Sequence, residues 1–231
     1  AGDCIVVSRR GAVNYENVYS LHADAEVIVN ATPVGMFPNN GARPIDIRRF
    51  PHLCAVADVI YNPARTALLQ DADALGIPRA GGLSMLVAQA ARSVERFSGR
   101  ALGEEAWRGA LSQVAASLRG VALVGMPGCG KSTIAQAVAK ELGRACVDLD
   151  AEIEREAGKS IPEIFAQEGE AAFRAAETCA AKQFSRENAV LATGGGCVLR
   201  AENVQALRAT SLVVWLKRAI DQLPREGRPL S

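Results

Sequence analysis

The first 119 residues contain no lysine: their twelve cationic side chains are all arginine, set against eleven Asp and Glu. Residues 120–231 carry fourteen charges of each sign, so the 231-residue chain has a net charge of only +1. No basic tract points to nucleic acid, and no acidic tail is present. No apolar run approaches the roughly 20 residues of a membrane-spanning helix. The start, Ala1-Gly2-Asp3-Cys4, lacks a charged stretch followed by an apolar one, so no secretory leader is expected. Six cysteines (Cys4, Cys54, Cys129, Cys146, Cys179 and Cys197) are scattered without a C-x-x-C pair. That spacing argues against zinc and against a disulfide framework, and it fits a reducing cytoplasm. The two histidines, His22 and His52, flank loop-like segments and read as surface residues. Internal repeats, low-complexity segments and a G-x-G-x-x-G fingerprint are also missing. Nothing in the sequence sets an oligomeric state.

One motif dominates what is present. Gly125-Met126-Pro127-Gly128-Cys129-Gly130-Lys131-Ser132 follows the apolar run Val121-Ala122-Leu123-Val124 and reads G-x-x-x-x-G-K-S. A short buried strand comes first, and a helical stretch from Thr133 to about Leu142 follows, closed by Gly143. The glycines let the backbone curl so that successive N–H groups converge on phosphate oxygens. The positive end of the new helix adds to that attraction. Gly128, Cys129, Gly130, Lys131, Ser132 and Thr133 are therefore expected to hold the phosphates of a nucleoside triphosphate, with Lys131 on the β- and γ-phosphates and Ser132 on Mg²⁺. For Cys129 two roles stand open, a redox-responsive thiol or merely a small residue tolerated there.

Further patterns follow in order. Ala145-Cys146-Val147-Asp148-Leu149-Asp150 reads as a strand delivering two carboxylates to its C-terminal end, with Asp148 and Asp150 on one face. Asp150 also stands where it could cap the helix Ala151–Ala157. Ser160-Ile161-Pro162-Glu163 is a capping box that opens a helix running to about Gly169. A second helix carries Phe173-Arg174-Ala175-Ala176-Glu177. Phe173 is expected in the core. Arg174 either clamps a planar carboxylate or pairs with Glu177 on a solvated face. Ala189–Thr193 is a strand leading into Gly194-Gly195-Gly196, which permits close approach to a ligand. Ser211–Leu216 is expected to be another buried strand, and Asp221–Ser231 a lid bearing arginines.

Taken together, G-x-x-x-x-G-K-S-T, D-x-D, F-R, G-G-G and R-P-L, over about residues 120–231, resemble shikimate kinase in identity, order and spacing. The resemblance implies ATP as donor and the 3-hydroxyl of shikimate as acceptor. It implies that Asp150 holds and deprotonates that hydroxyl, that Lys131 and Arg228 assist phosphoryl transfer, and that Arg228 also contacts ATP. Asp148 would act with Ser132 on Mg²⁺, through water. Arg174, backed by Gly194, Gly195 and Gly196, would hold the shikimate carboxylate. The family pattern continues beyond the lid, so the chain is expected to be a segment of something longer. Two competing readings are another small-molecule P-loop kinase, such as one for gluconate, and a module that binds ATP without transferring phosphate.

The first unit alternates strands and helices, which implies a parallel α/β sheet. Cys4–Val7, Glu26–Asn30 and Cys54–Tyr61 are expected strands, and Thr66–Leu75 and Ser84–Phe97 expected helices. Asn30-Ala31-Thr32-Pro33-Val34-Gly35-Met36, Asp58-Val59-Ile60-Tyr61-Asn62-Pro63-Ala64-Arg65-Thr66 and Gly82-Leu83-Ser84-Met85-Leu86-Val87-Ala88-Gln89 resemble shikimate dehydrogenase. The match covers the later part of that family's nucleotide-binding domain. It implies that Ser8-Arg9-Arg10 ends the strand that meets the adenosine ribose, where Arg9 suits the 2′-phosphate of NADP. Without it, Arg9 and Arg10 are simply solvated charges. Tyr61 and Gln89 would touch shikimate, and Val59 and Gly82 the nicotinamide side. That family's catalytic Lys and Asp would precede residue 1, so this stretch alone is not expected to reduce 3-dehydroshikimate. The expected architecture is α/β. A partial Rossmann-like NADP-binding domain (1–100) leads through a helical connector (101–119) to a P-loop domain of the nucleoside-monophosphate-kinase type with a parallel sheet (120–231). The pair would be a cytoplasmic fusion on the route to aromatic amino acids.

Overall fold

The computed structural model describes residues 3–185, 188–219 and 221. They divide into two units, Ala1–Ala115 and Ala116–Ser231, with the boundary inside a helix.

In the first unit the elements are α1 (Val18–Leu21), β1 (Val27–Asn30), β2 (Ala55–Asp58), α2 (Ala67–Ala74), β3 (Arg79–Ala80) and α3 (Leu83–Ser98), followed by α4 (Glu104–Leu118). All pairing is parallel, in the order β1-β2-β3. Local chemistry fixes the helix ends. Thr66 caps α2 by accepting from the Leu69 N–H, and Gly99 closes α3 at φ +67°. Val56, Leu68, Leu69 and Ala72 pack with Val18, Ile47 and Phe50 into one core.

Three expectations fail here. Cys4–Val7 forms no strand, and Ser8-Arg9-Arg10 lies in a turn rather than at a strand end. The reason is pairing: β-propensity becomes a strand only beside a partner, and this segment has no ladder. Ile5 and Val6 are exposed and only Val7 reaches the core. The strand expected over Cys54–Tyr61 also stops early, at Asp58. There the Asp58 carboxylate turns the chain by accepting from the Ile60 N–H at 3.0 Å.

The second unit contains β4 (Gly120–Val124), α5 (Lys131–Leu142), β5 (Cys146–Asp148), α6 (Leu149–Ala157), α7 (Ile161–Phe184), β6 (Val190–Ala192), α8 (Ala201–Thr210) and β7 (Ser211–Trp215). The sheet is parallel throughout, in the order β5-β6-β4-β7. β6 is buried along its whole length and β4 along most of it, as parallel strands covered on both faces should be. On one side Val124, Leu149, Ile153, Phe173, Phe184 and Leu191 form the larger core. On the other, Leu123, Val190 and Ala192 pack against Ala135 and Ala139 of α5.

Two readings of this half need correction. β7 is not a buried strand: it ends the sheet among the described residues, and Leu212 and Trp215 are exposed. Asp148 and Asp150 do not alternate along one strand. The strand ends at Asp148, whose side chain caps α6 by accepting from the Asp150 N–H at 3.1 Å. Asp150 therefore sits in the first turn of that helix, and Asp148, not Asp150, is the cap. The break expected near Gly169 is present: α7 is kinked there, with Gly169 at φ +84°.

Candidate active site

The loop from Gly125 to Gly130 joins β4 to α5, so it lies at the carboxyl edge of the sheet, where parallel α/β folds bind ligands. Gly128 and Gly130 adopt φ of +74° and +96°, the left-handed backbone that turns successive N–H groups inward. Lys131 opens α5 and is buried. Its Nζ donates to the carbonyls of Gly125 at 2.9 Å and Met126 at 3.0 Å, folding it over the loop it follows. Ser132 Oγ donates to Asp148 Oδ2 at 2.6 Å, which brings the end of β5 against the start of α5.

A cavity of about 500 Å³ extends from this loop. Lys131, Ser132, Thr133, Asp148, Asp150, Arg174, Glu177 and Gly194–Gly196 line it, with Phe165 and Phe173 adding apolar surface. A side chain at any of the three glycines would press on a neighbour. A Cβ on Gly194 would stand 2.7 Å from Asp150 Oδ1 and 2.8 Å from Glu177 Oε1. On Gly195 it would strike the Pro127 ring, and on Gly196 the Arg174 guanidinium.

Electrostatics single out the two carboxylates beside Gly194. Asp150 Oδ1 and Glu177 Oε1 are buried and have no hydrogen-bond partner. Burial pushes the Asp150 carboxyl up to about 6, helped by the charges of Asp148 and Glu177 and opposed by Lys131. Glu177 is fully buried and holds Arg174 Nη1 through Oε2 at 3.0 Å, while exposed Glu170 takes Arg174 Nε at 3.3 Å. Burial works against the Arg174 charge, yet these two glutamates keep its pKa raised. Nearby, burial and then the Glu177 charge push the Cys197 thiol up to about 12, so it stays a neutral core group. Cys129, too, is buried.

The cavity thus gathers Gly128, Gly130, Lys131, Ser132, Thr133, Asp148, Asp150, Arg174 and Gly194–Gly196. Arg228 lies outside the described residues. Sequence reasoning missed Glu177 as part of the site. The i,i+3 pair with Arg174 was visible, but it is buried, not on a solvated face. Arg218, whose Nη1 donates to the Gly128 carbonyl at 3.4 Å, had no sequence signal at all.

In the first unit, Gly82 abuts Val59: its N–H donates to the Ile60 carbonyl at 3.0 Å, and a Cβ there would overlap the Val59 backbone. Tyr61 and Gln89 are exposed, as is Arg9, while Ser8 is half-buried. Asn30, Asp58 and Thr66 form a buried network where β1 and β2 end. Asp58 accepts from Asn30 at 3.1 Å and from Thr66 at 2.7 Å, and Asn30 Oδ1 accepts from Thr32.

A parallel sheet, a phosphate loop between its strand and helix, and a carboxylate-lined cavity beside that loop define the second unit as a P-loop kinase domain. Residues 127–228 match the family described as Shikimate kinase. Over its C-terminal half the chain is thus similar to shikimate kinases. The shikimate kinase of Bordetella pertussis is 46% identical over 114 residues, covering 47% of this chain and 54% of that protein. That of Burkholderia lata is 50% identical over 98 residues, covering 42% and 53%. The chain spans about half the length of the curated relatives it matches. Among solved structures, shikimate kinase from Acinetobacter baumannii in complex with shikimate is 40% identical, covering 48% of this chain and 62% of that one, with a TM-score of 0.45. A chorismate mutase/shikimate 5-dehydrogenase fusion protein from Clostridium acetobutylicum is 29% identical over 47% of this chain and 43% of its own, with a TM-score of 0.44.

Proposed function

We propose that the second unit transfers the γ-phosphoryl group of ATP to the 3-hydroxyl of shikimate. The observation that carries the reading is the gathering, in one cavity beside the phosphate loop, of the carboxylates of Asp150 and Glu177 with the guanidinium of Arg174. Asp150 offers an acceptor to a ligand hydroxyl, and the planar guanidinium of Arg174 offers paired donors to a carboxylate. A small hydroxy acid satisfies both.

In this reading the loop N–H groups and Lys131 hold the β- and γ-phosphates, and Lys131 leaves its carbonyl partners to do so. The hydroxyl of Ser132 and the carboxylate of Asp148 are hard oxygen donors placed together, the donor set that suits Mg²⁺, directly or through its water. Magnesium would supply charge neutralisation at the phosphates. Asp150 accepts the hydroxyl proton: with a pKa near 6 it is mostly ionised at neutral pH yet basic enough to take a proton. Arg174 binds the carboxylate and so orients the ring, while Gly194–Gly196 let the backbone approach it. Arg228 would screen the transferring group.

For the first unit we propose the later part of a shikimate dehydrogenase cofactor domain that serves NADP. The three sequence blocks and the parallel β1-β2-β3 sheet support this. Val59 and Gly82 would face the nicotinamide, Tyr61 and Gln89 the substrate, and Ser8 with Arg9 the 2′-phosphate. Scattered free thiols suit a cytoplasmic setting. Among the described residues no helix is long and apolar enough to cross a membrane.

The direct test is ADP release from Mg-ATP, with and without shikimate, beside Arg174→Ala. Shikimate-dependent release that falls ~10³-fold in the variant is expected. Release stimulated by gluconate but not by shikimate would overturn the assignment.

A further inference from the structure

Arg174 stands between two glutamates of its own helix, and they differ in kind. Glu177 lies across Nη1 at 3.0 Å with a side chain 1% exposed. It cannot turn to water, and leaving Arg174 would strand a buried charge. Glu170 lies across Nε at 3.3 Å with a side chain 56% exposed. It follows Gly169, where the backbone of α7 leaves helical geometry, and it has solvent to move into.

The charges add up unfavourably for an incoming acid. Glu177 already balances the guanidinium, so Glu170 makes the cluster net negative, and Asp150 lines the same cavity. The Nε edge is also one of the two forks through which a guanidinium grips a carboxylate with paired N–H donors. Glu170 sits on it.

We infer that Glu170 is a displaceable counter-ion, competing with the substrate's carboxylate for the Nε edge of Arg174. This rests on the reading of Arg174 as the carboxylate clamp. Its consequence is selectivity. A simple carboxylate gains little by exchanging places with Glu170. A hydroxy acid also offers a hydroxyl to Asp150, which lines the same cavity, and displaces Glu170. Glu170 therefore acts through Arg174, as a positioning and specificity residue rather than a reacting one.

The test is calorimetric binding of shikimate and of its methyl ester to wild type, Glu170→Gln and Glu170→Asp, with melting curves to verify folding. Glu170→Gln should bind shikimate about threefold more tightly at low salt, a gain that shrinks at high salt, with no gain for the neutral ester. In the ADP-release assay the same change should appear in KM. Glu170→Asp, whose charge is drawn back by one methylene, should fall between. Weaker shikimate binding by Glu170→Gln would overturn the inference, since Glu170 would then be a support for Arg174. An equal gain for acid and ester would overturn it as well. Should wild type bind no shikimate, the kinase reading itself fails; should it bind while the Gln variant behaves as in either overturning case, only the role of Glu170 fails.

Discussion

Each unit places an aspartate with a buried carboxylate oxygen at the carboxyl edge of a parallel sheet, and the two are treated in opposite ways. Asp58, at the end of β2, has both oxygens engaged, by Asn30, Thr66 and the Ile60 N–H. Asp150, just past β5, has an oxygen buried with no partner and a pKa pushed up to about 6. A fully bonded buried carboxylate holds loops together. One left unsatisfied costs stability, and a fold keeps it when a ligand completes it. The same residue type at the same kind of position is thus read as scaffold in one unit and as chemistry in the other.

The comparison breaks most sharply at Asp150. Asp150→Asn should lower shikimate-dependent ADP release by ~10³-fold or more, because the proton acceptor is gone. The same variant should be the more stable protein at neutral pH. The folded carboxyl titrates near 6 rather than at the ordinary 3.8, so ionising it subtracts from stability once the pH passes those values. Removing that charge should return up to ~3 kcal/mol at pH 7 and nothing below about pH 4, as read by denaturant melts at both pH values. A variant that is both inactive and destabilised at pH 7 would place Asp150 with Asp58 as scaffold.

Next in size is the opposite experiment. Asp58→Ala should cost about 3 kcal/mol in the first unit, because it leaves Asn30, Thr66 and the Ile60 N–H without their acceptor. Hydrogen exchange at the amides of β1 and β2 should report the loss. Unchanged protection there would mean the network does not hold the edge.

The smallest effect is graded with pH. Shikimate-dependent turnover should fall tenfold per unit below an apparent pKa near 6, since the protonated acid cannot accept the hydroxyl proton. An acid limb near 4 would show that the site does not hold the carboxyl up. The Arg174 and Glu170 variants sharpen the same contrast from the carboxylate side of the cavity.

What could be read in advance follows the range of the interactions. Gly143 and Gly99 end their helices at positive φ, and Ser160 and Glu163 open α7 with the Ser160 N–H donating to the Glu163 carboxylate at 2.8 Å. All are contacts within a few residues, and sequence patterns encode them directly. Among the described residues, Cys4–Val7 had strand-forming residues but no partner, and β7 was apolar but ended the sheet. Neither fact is local. Asp148 and Asp150 were found as a pair, yet the strand ended one residue too soon for the alternation rule, and their capping roles were exchanged.

The sequence by itself determined the phosphate loop, the alternation of α and β elements that follows it, the helix ends at Gly99, Gly143 and Ser160, and the residue types that line the cavity. Tertiary structure alone decided that Glu177 is buried beside Asp150 and that Gly194–Gly196 must be bare to admit Asp150, Pro127 and Arg174. It also decided which apolar segment became a strand. The physical reason is distance along the chain. Turns and caps form between neighbours, whereas burial, strand pairing and the loss of hydrogen-bond partners arise only when distant segments pack against one another.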